Sequence, residues 1–292
     1  MNTTVKPVPR IAAIHDLSGF GKASLTVVIP ILSTLGIQVC PLATAVLSTH
    51  SMIEGYRFVD LTEHMRQFVA HWKELEIDFD AVYSGFLGSA NQVAIVEEVI
   101  QAFARPRQLV VVDPVLGDDG RMYGPLQPAM VAEMRRLVRS ADVITPNLTE
   151  AALLLEESFQ PVMEPQTVKA WLRRLAAFGP RIVIITSVKE KKPGRTAVLA
   201  FDKQDGRFWK VGCDYIPANY PGTGDSFSSV VVGCLLQGDS LPIALDRAVQ
   251  FISIAIRSTF GYARHPREGI VLERVLHNLK APVQVSSYEL LD

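Results

Sequence analysis

Short apolar runs alternate along the chain with segments whose apolar residues recur every three or four positions. That rhythm predicts strands alternating with helices. Residues 10–15 (Arg-Ile-Ala-Ala-Ile-His) read as a first strand. A helical segment over 24–35 stops at Gly36, a residue suited to a helix C-terminus. Residues 37–41 and 44–47 read as two further extended pieces, and 58–74 as a helix with Phe68, Trp72 and Leu75 on one face. A strand over 80–84 precedes a helix over 91–103. The run Leu109-Val110-Val111-Val112 is apolar without alternation, as in a strand covered on both faces of a parallel sheet, and 181–186 repeats the pattern. Between them lie helices at 128–138 and 148–156 around a short strand at 141–144. Two strands, 195–201 and 207–211, flank a turn with Asp-Gly chemistry and predict a hairpin. From Asp225 onward the pattern is helical in three pieces, broken near Gly238 and Gly261. The expectation is an α/β fold: a three-layer α/β/α sandwich on a mostly parallel central sheet, in one domain spanning 1–292.

Composition narrows the function. With 48% hydrophobic residues in 292, the chain can cover a sheet of that size on both faces. A net charge of −1, from 29 basic and 30 acidic residues, points away from nucleic acid and from anionic membranes. The longest apolar runs are strand length, so no spanning helix is expected. The start, Met1-Asn2-Thr3-Thr4-Val5-Lys6-Pro7, lacks the apolar core of a signal peptide, and Cys40, Cys213 and Cys234 lie far apart. A cytoplasmic protein with unpaired, buried thiols accounts for both. Trp72, Trp171 and Trp209 read as packing residues.

Polar residues gather at the carboxyl ends of the predicted strands: His15-Asp16, Ser84-Gly85, Asp113, Thr145-Pro146-Asn147 and Thr186-Ser187. In parallel α/β sheets that rim is where ligands bind. Near it, Tyr220-Pro221-Gly222-Thr223-Gly224-Asp225 runs straight into an apolar helix. A glycine-flanked helix N-terminus presents unpaired N–H groups at the positive end of the helix dipole, a site for phosphate or a developing anion. Asp225 is placed to take a proton from an attacking hydroxyl, with Gly222, Thr223 and Gly224 as the anion hole; positive φ and a close backbone approach would explain both glycines. Alone, Gly-x-Gly-Asp is also ordinary capping chemistry. Asp113 and Glu150 are the carboxylates best placed to hold magnesium, through water. Asn147 and Glu150 fit a capping box equally well, and the two roles are compatible. Asp16-Leu17-Ser18-Gly19-Phe20-Gly21-Lys22 reads as a turn after the first strand. It is no Walker loop and suits recognition of a small molecule, through Asp16 and Ser18, or a plain βα turn. His50, in Ser48-Thr49-His50-Ser51, serves either substrate binding or structure, and Lys189-Glu190-Lys191-Lys192 is a charged loop best read as solvated.

Together these motifs resemble the ribokinase superfamily, and within it the vitamin B6 kinases, from about Arg10 to Gly261. Gly222-Thr223-Gly224-Asp225 is similar to the superfamily's anion-hole and base motif, and Asn147-Leu148-Thr149-Glu150 to its Asn-x-x-Glu motif. Ser84-Gly85-Phe86-Leu87-Gly88-Ser89, Asp113-Pro114-Val115-Leu116-Gly117 and Leu47-Ser48-Thr49-His50-Ser51 resemble three further B6-kinase segments. The resemblance implies an ATP- and magnesium-dependent kinase acting on the 5′-hydroxymethyl group of pyridoxal, pyridoxine or pyridoxamine, stimulated by potassium and homodimeric. Asp113, Asn147, Glu150, Thr186, Ser187, Thr223 and Gly224 would lie along ATP and its metal. Ser51, His50 and Phe86 would border the pyridine ring. Two departures stand out. Asp16-Leu17-Ser18-Gly19 resembles the turn of hydroxymethylpyrimidine kinases more than the Ser-His of B6 kinases, and Phe86 replaces the family tyrosine. A hydroxymethylpyrimidine kinase and a non-catalytic vitamer-binding protein are the alternatives.

Overall fold

A computed structural model describes residues 7–124, 126–262, 265–282 and 287–291. The first half runs β1 (Arg10–Phe20), α1 (Leu25–Thr34), β2 (Gln38–Thr49), β3 (Phe58–Asp60), α2 (Thr62–Glu74), β4 (Ala81–Ser84), α3 (Ala90–Ala102) and β5 (Leu109–Val112). A small hairpin, β6 (Gly117–Asp118) and β7 (Arg121–Met122), leads to α4 (Ala129–Leu137), β8 (Val143–Ile144), α5 (Leu148–Leu155) and α6 (Pro165–Ala176). The chain ends with β9 (Ile182–Lys189), β10 (Arg195–Asp202), β11 (Arg207–Asp214), α7 (Thr223–Leu236), α8 (Leu241–Phe260), three short 3-10 turns and β12 (Tyr288–Leu290).

Ten strands form one sheet in the order β12-β11-β10-β9-β8-β5-β4-β1-β2-β3. The six from β9 to β2 are parallel, and antiparallel strands close both ends. Strand parity explains the unalternating apolar runs. Ile11, Ala13, Val111, Ile182 and Ile184 pack with α1, α7 and α8, while Ala12, Ile14, Val110, Val112, Val183 and Ile185 pack with α2 to α6. Two separate cores sandwich the sheet, the three-layer α/β/α arrangement expected. Among the described residues, no helix is long and apolar enough to cross a membrane.

Several local expectations are corrected. The first strand runs on to Phe20, because β2 pairs with it as far as Phe20 and Thr49, past a register shift between His15 and Leu17. Asp16 and Ser18 therefore stand on a strand, and only the residues after Phe20 form the turn. The two extended pieces at 37–41 and 44–47 are one strand, β2; Pro41 is tolerated because β3 covers only Ala45 to Leu47 of that edge. Phe58 to Asp60 pair with β2 instead of starting a helix, and Asp60 accepts the Thr62 N–H at 2.7 Å where α2 begins. The third helical piece after Gly261 is a set of 3-10 turns. α6, β12 and the β6–β7 hairpin are not among the elements expected from sequence.

Candidate active site

α7 begins at the rim of the parallel sheet, and Gly222 caps it with φ 77°. A Cβ at Gly222 would stand 2.1 Å from the Lys22 carbonyl oxygen, so glycine is required for conformation and space alike. Gly224 differs from the expectation. It is not among the left-handed residues, and a Cβ there would meet nothing within 4 Å. Its missing side chain leaves open the space in front of the helix end. Thr223 Oγ1 donates to Tyr220 O at 3.0 Å and Ser226 N to Gly222 O at 2.9 Å, which fixes the turn.

Asp225, in the first turn of α7, accepts the Ser24 backbone N–H on Oδ2 at 2.9 Å. Burial pushes its pKa up to about 6; the Ser24 N–H opposes the shift and the Asp16 charge adds to it. Asp16 is itself buried and raised by desolvation, against bonds from Ser24 and from Ser18, whose hydroxyl stands 3.2 Å from Oδ2. Asp113 follows β5. Its Oδ2 lies 3.0 Å from the Ser228 hydroxyl, which also meets Thr145 Oγ1 at 2.9 Å, so one turn further on α7 is tied to two strand ends. Burial and the Asp225 charge lift Asp113 to about 7. Glu150 closes a capping box at the start of α5: Asn147 N donates to Oε2 at 2.8 Å, and Glu150 N donates to Asn147 Oδ1 at 3.0 Å. Leu116 N donates to Oε1 at 3.1 Å. Burial, then the Asp113 charge, hold the Glu150 carboxyl well above the usual range.

Two cavities meet at the N-terminus of α7. The larger, about 410 Å³, takes in Asp16, Ser18, His50, Ser51, Phe86, Asp113, Asn147, Glu150 and Asp225. The smaller, about 260 Å³, is walled by Val198, Phe227, Val249, Ile252 and Ile256. Thr186, Ser187, Thr223 and Gly224 line both. Every candidate site residue from the sequence is thus brought to this region, but the set expected along ATP divides: Asp113, Asn147 and Glu150 lie on the larger side only. Asp225 faces the larger cavity alone. His15 does not join them. Among the described residues neither ring nitrogen has a partner in good hydrogen-bond geometry, burial lowers its pKa to about 3 against an opposing contribution from the Tyr83 backbone, and the ring meets Tyr83 edge-on at 4.4 Å between centroids. Of the charged loop, Lys191 pairs with Glu164 and Glu190 with Lys210, while Lys189 lines the smaller cavity.

The residues fit a divalent cation. Asp113 and Glu150 are buried carboxylates; the Asp113 charge raises Glu150, and Asp113 is itself raised by burial and by Asp225, so a cation beside them would relieve repulsion at both. Sequence reasoning missed Ser24, Ser228 and the apolar wall on α8. Val249, Ile252 and Ile256 are spaced like any core-facing helix stripe, so no signal separated them from packing residues.

A family profile described as phosphomethylpyrimidine kinase matches residues 32–268. A crystal structure of a candidate phosphomethylpyrimidine kinase from Bacteroides thetaiotaomicron, obtained with pyridoxal, is 56% identical, covering 97% of this chain and all of that one, with a TM-score of 0.95. Pyridoxal kinase from Lactobacillus plantarum is 32% identical over 93% of this chain and 96% of that one, with a TM-score of 0.85. Pyridoxal kinase PdxY from Burkholderia lata is 27% identical over 85% of this chain and 88% of its own length. The chain belongs to the phosphomethylpyrimidine kinase family, ribokinase-like proteins among which its relatives include pyridoxal kinases.

Proposed function

We propose that this protein is an ATP-dependent kinase that phosphorylates the 5′-hydroxymethyl group of pyridoxal, pyridoxine or pyridoxamine, yielding the vitamer 5′-phosphate and ADP. One observation carries the reading. Two cavities of different chemistry share one helix N-terminus, and a single carboxylate of that helix, Asp225, faces only the larger. The larger cavity holds the acceptor, bordered by Phe86, His50 and Ser51, with Asp16 and Ser18 at its floor. The smaller holds the nucleotide base between the α8 stripe and Phe227. In between, the γ-phosphoryl group lies against the Thr223 and Gly224 backbone.

Asp225 takes the proton from the acceptor hydroxyl as its oxygen attacks phosphorus. A carboxylate lifted to about 6 is a better base than a free one and is still ionised at neutral pH. Charge leaving toward the β-phosphate and spreading on the transferred group meets the N–H groups of the α7 terminus. Asp113 and Glu150 would hold magnesium, which would neutralise phosphate charge when bound. We further propose one kinase domain and cytoplasmic residence, on sequence pattern and composition, and a homodimer and potassium stimulation, on family resemblance.

The 56% identity to a protein crystallised with pyridoxal supports a B6 vitamer as acceptor. The matching family description supports a second reading, a hydroxymethylpyrimidine kinase. ADP release with Mg-ATP, measured side by side on the three vitamers and on hydroxymethylpyrimidine, separates them. Faster turnover on a vitamer is the expected result, and turnover confined to the pyrimidine would overturn the proposal.

A further inference from the structure

Ser24 ends the turn between β1 and α1, and its backbone sits at φ 51°, ψ −130°, a region that residues with a Cβ rarely enter. A serine at the N-cap of a helix ordinarily spends its hydroxyl on the helix's own N–H groups. Ser24 makes no such bond. Its hydroxyl donates to Asp16 Oδ1, while its N–H donates to Asp225 Oδ2 at 2.9 Å. One buried residue thus joins the carboxylate on β1 to the carboxylate on α7.

The turn is gripped from two sides. The Lys22 backbone lies between Gly222 and Gly269; a Cβ on Gly222 would be 2.1 Å from Lys22 O, and one on Gly269 would be 3.1 Å from Lys22 N. Both glycines have left-handed φ, 77° and 79°. The Lys22 ammonium pairs with Glu273, and His50 Nε2 meets Arg267 O at 2.5 Å, so the segment after α8 braces the same turn. These contacts hold Ser24 in its unfavourable conformation, which points the N–H at Asp225.

We propose that Ser24 is a positioning residue for phosphoryl transfer, fixing Asp225 and Asp16 as a pair so that the acceptor hydroxyl meets Asp225 in one orientation. This rests on the phosphoryl-transfer reading of the site. Ser24→Gly keeps the backbone N–H that Asp225 accepts and removes the hydroxyl that holds Asp16, so the pair is untied at Asp16, inside the larger cavity, and the loss falls on turnover and not on nucleotide binding.

The test is kcat, KM for each substrate and melting temperature for the wild type, Ser24→Gly and Ser24→Ala. Glycine suits a φ of 51°, so Ser24→Gly keeps or raises the melting temperature and remains informative if the alanine variant fails to fold. The expected result is a kcat lower by roughly 10- to 100-fold in Ser24→Gly, with KM for ATP changed by less than about twofold. A folded Ser24→Gly enzyme with wild-type kcat would overturn the role of Ser24 alone. A wild-type protein that turns over no hydroxymethyl acceptor would overturn the phosphoryl-transfer reading and Ser24's role with it.

Discussion

The two cavities at the end of α7 are built from different materials. On the larger side Asp16, Asp113, Glu150 and Asp225 converge, and burial or mutual repulsion shifts all four toward protonation. The smaller side has an apolar wall of Val198, Phe227, Val249, Ile252 and Ile256, with Lys189, Asp118, Asp119 and Asp214 around it. A cavity that must activate a hydroxyl and steady phosphate charge needs closely spaced ionisable groups, whatever they cost in desolvation. A cavity that only grips a flat apolar base needs shape and surface. The shared helix terminus lets each side be altered with little disturbance of the other.

Asp225→Asn is the sharpest way to break that asymmetry. It should lower kcat roughly 10²- to 10⁴-fold in the ADP-release assay while both KM values and the melting temperature hold, because the amide keeps the acceptor for the Ser24 N–H. Gly222→Ala strikes the shared terminus. The new Cβ collides with Lys22 O, and kcat should fall roughly 10²- to 10³-fold, with loss of melting temperature and damage to both substrates' kinetics.

A pH profile sharpens the comparison from the acidic side. The base works ionised, so kcat/KM should fall about tenfold per unit as the pH drops below about 6. Stability runs the other way. Asp225 and Asp113 hold protons more tightly folded than at their free value of 3.8, so the native state loses stability as pH rises above 3.8, the loss being complete for Asp225 above about 6 and for Asp113 above about 7. Melting temperatures across that range check the opposing trend. The smallest effect belongs to the apolar slot: Ile252→Ala should raise KM for ATP about three- to tenfold through lost contact, and leave KM for the acceptor unchanged.

Much of this was legible in sequence. The runs at 109–112 and 182–185 announced a sheet covered on both faces, because every residue of a doubly covered strand must be apolar. Asp113 and Asn147 were found because strand ends mark the rim; Asp16 and Thr186 were found by the same reasoning, although β1 and β9 run on past them to Phe20 and Lys189. Gly222 was singled out for the right reason and Gly224 for the wrong one, since a glycine that leaves room for a ligand looks in sequence like one that bends a turn. Ser24 was hidden for a related reason. A serine before a helix predicts a cap, and nothing local reveals that its φ is positive or that its hydroxyl turns to Asp16. β12 escaped because it is three residues long and, among the described residues, pairs with β11 alone, whereas α6 was legible and overlooked: Pro165 opens it, and Val168, Trp171, Leu172 and Leu175 recur at helical spacing on its buried face.

The bond from Ser24 to Asp225 spans 201 positions of chain. β1 and the turn after it leave the ribosome well before their partner, the first turn of α7, which follows 201 positions later. Domains generally condense as their chain is completed, and contacts between distant segments form late because a long loop must first be closed. On the proposed reading the base can be tied to β1 only once α7 has been made, and a nascent chain that stalls before α7 lacks Asp225 altogether.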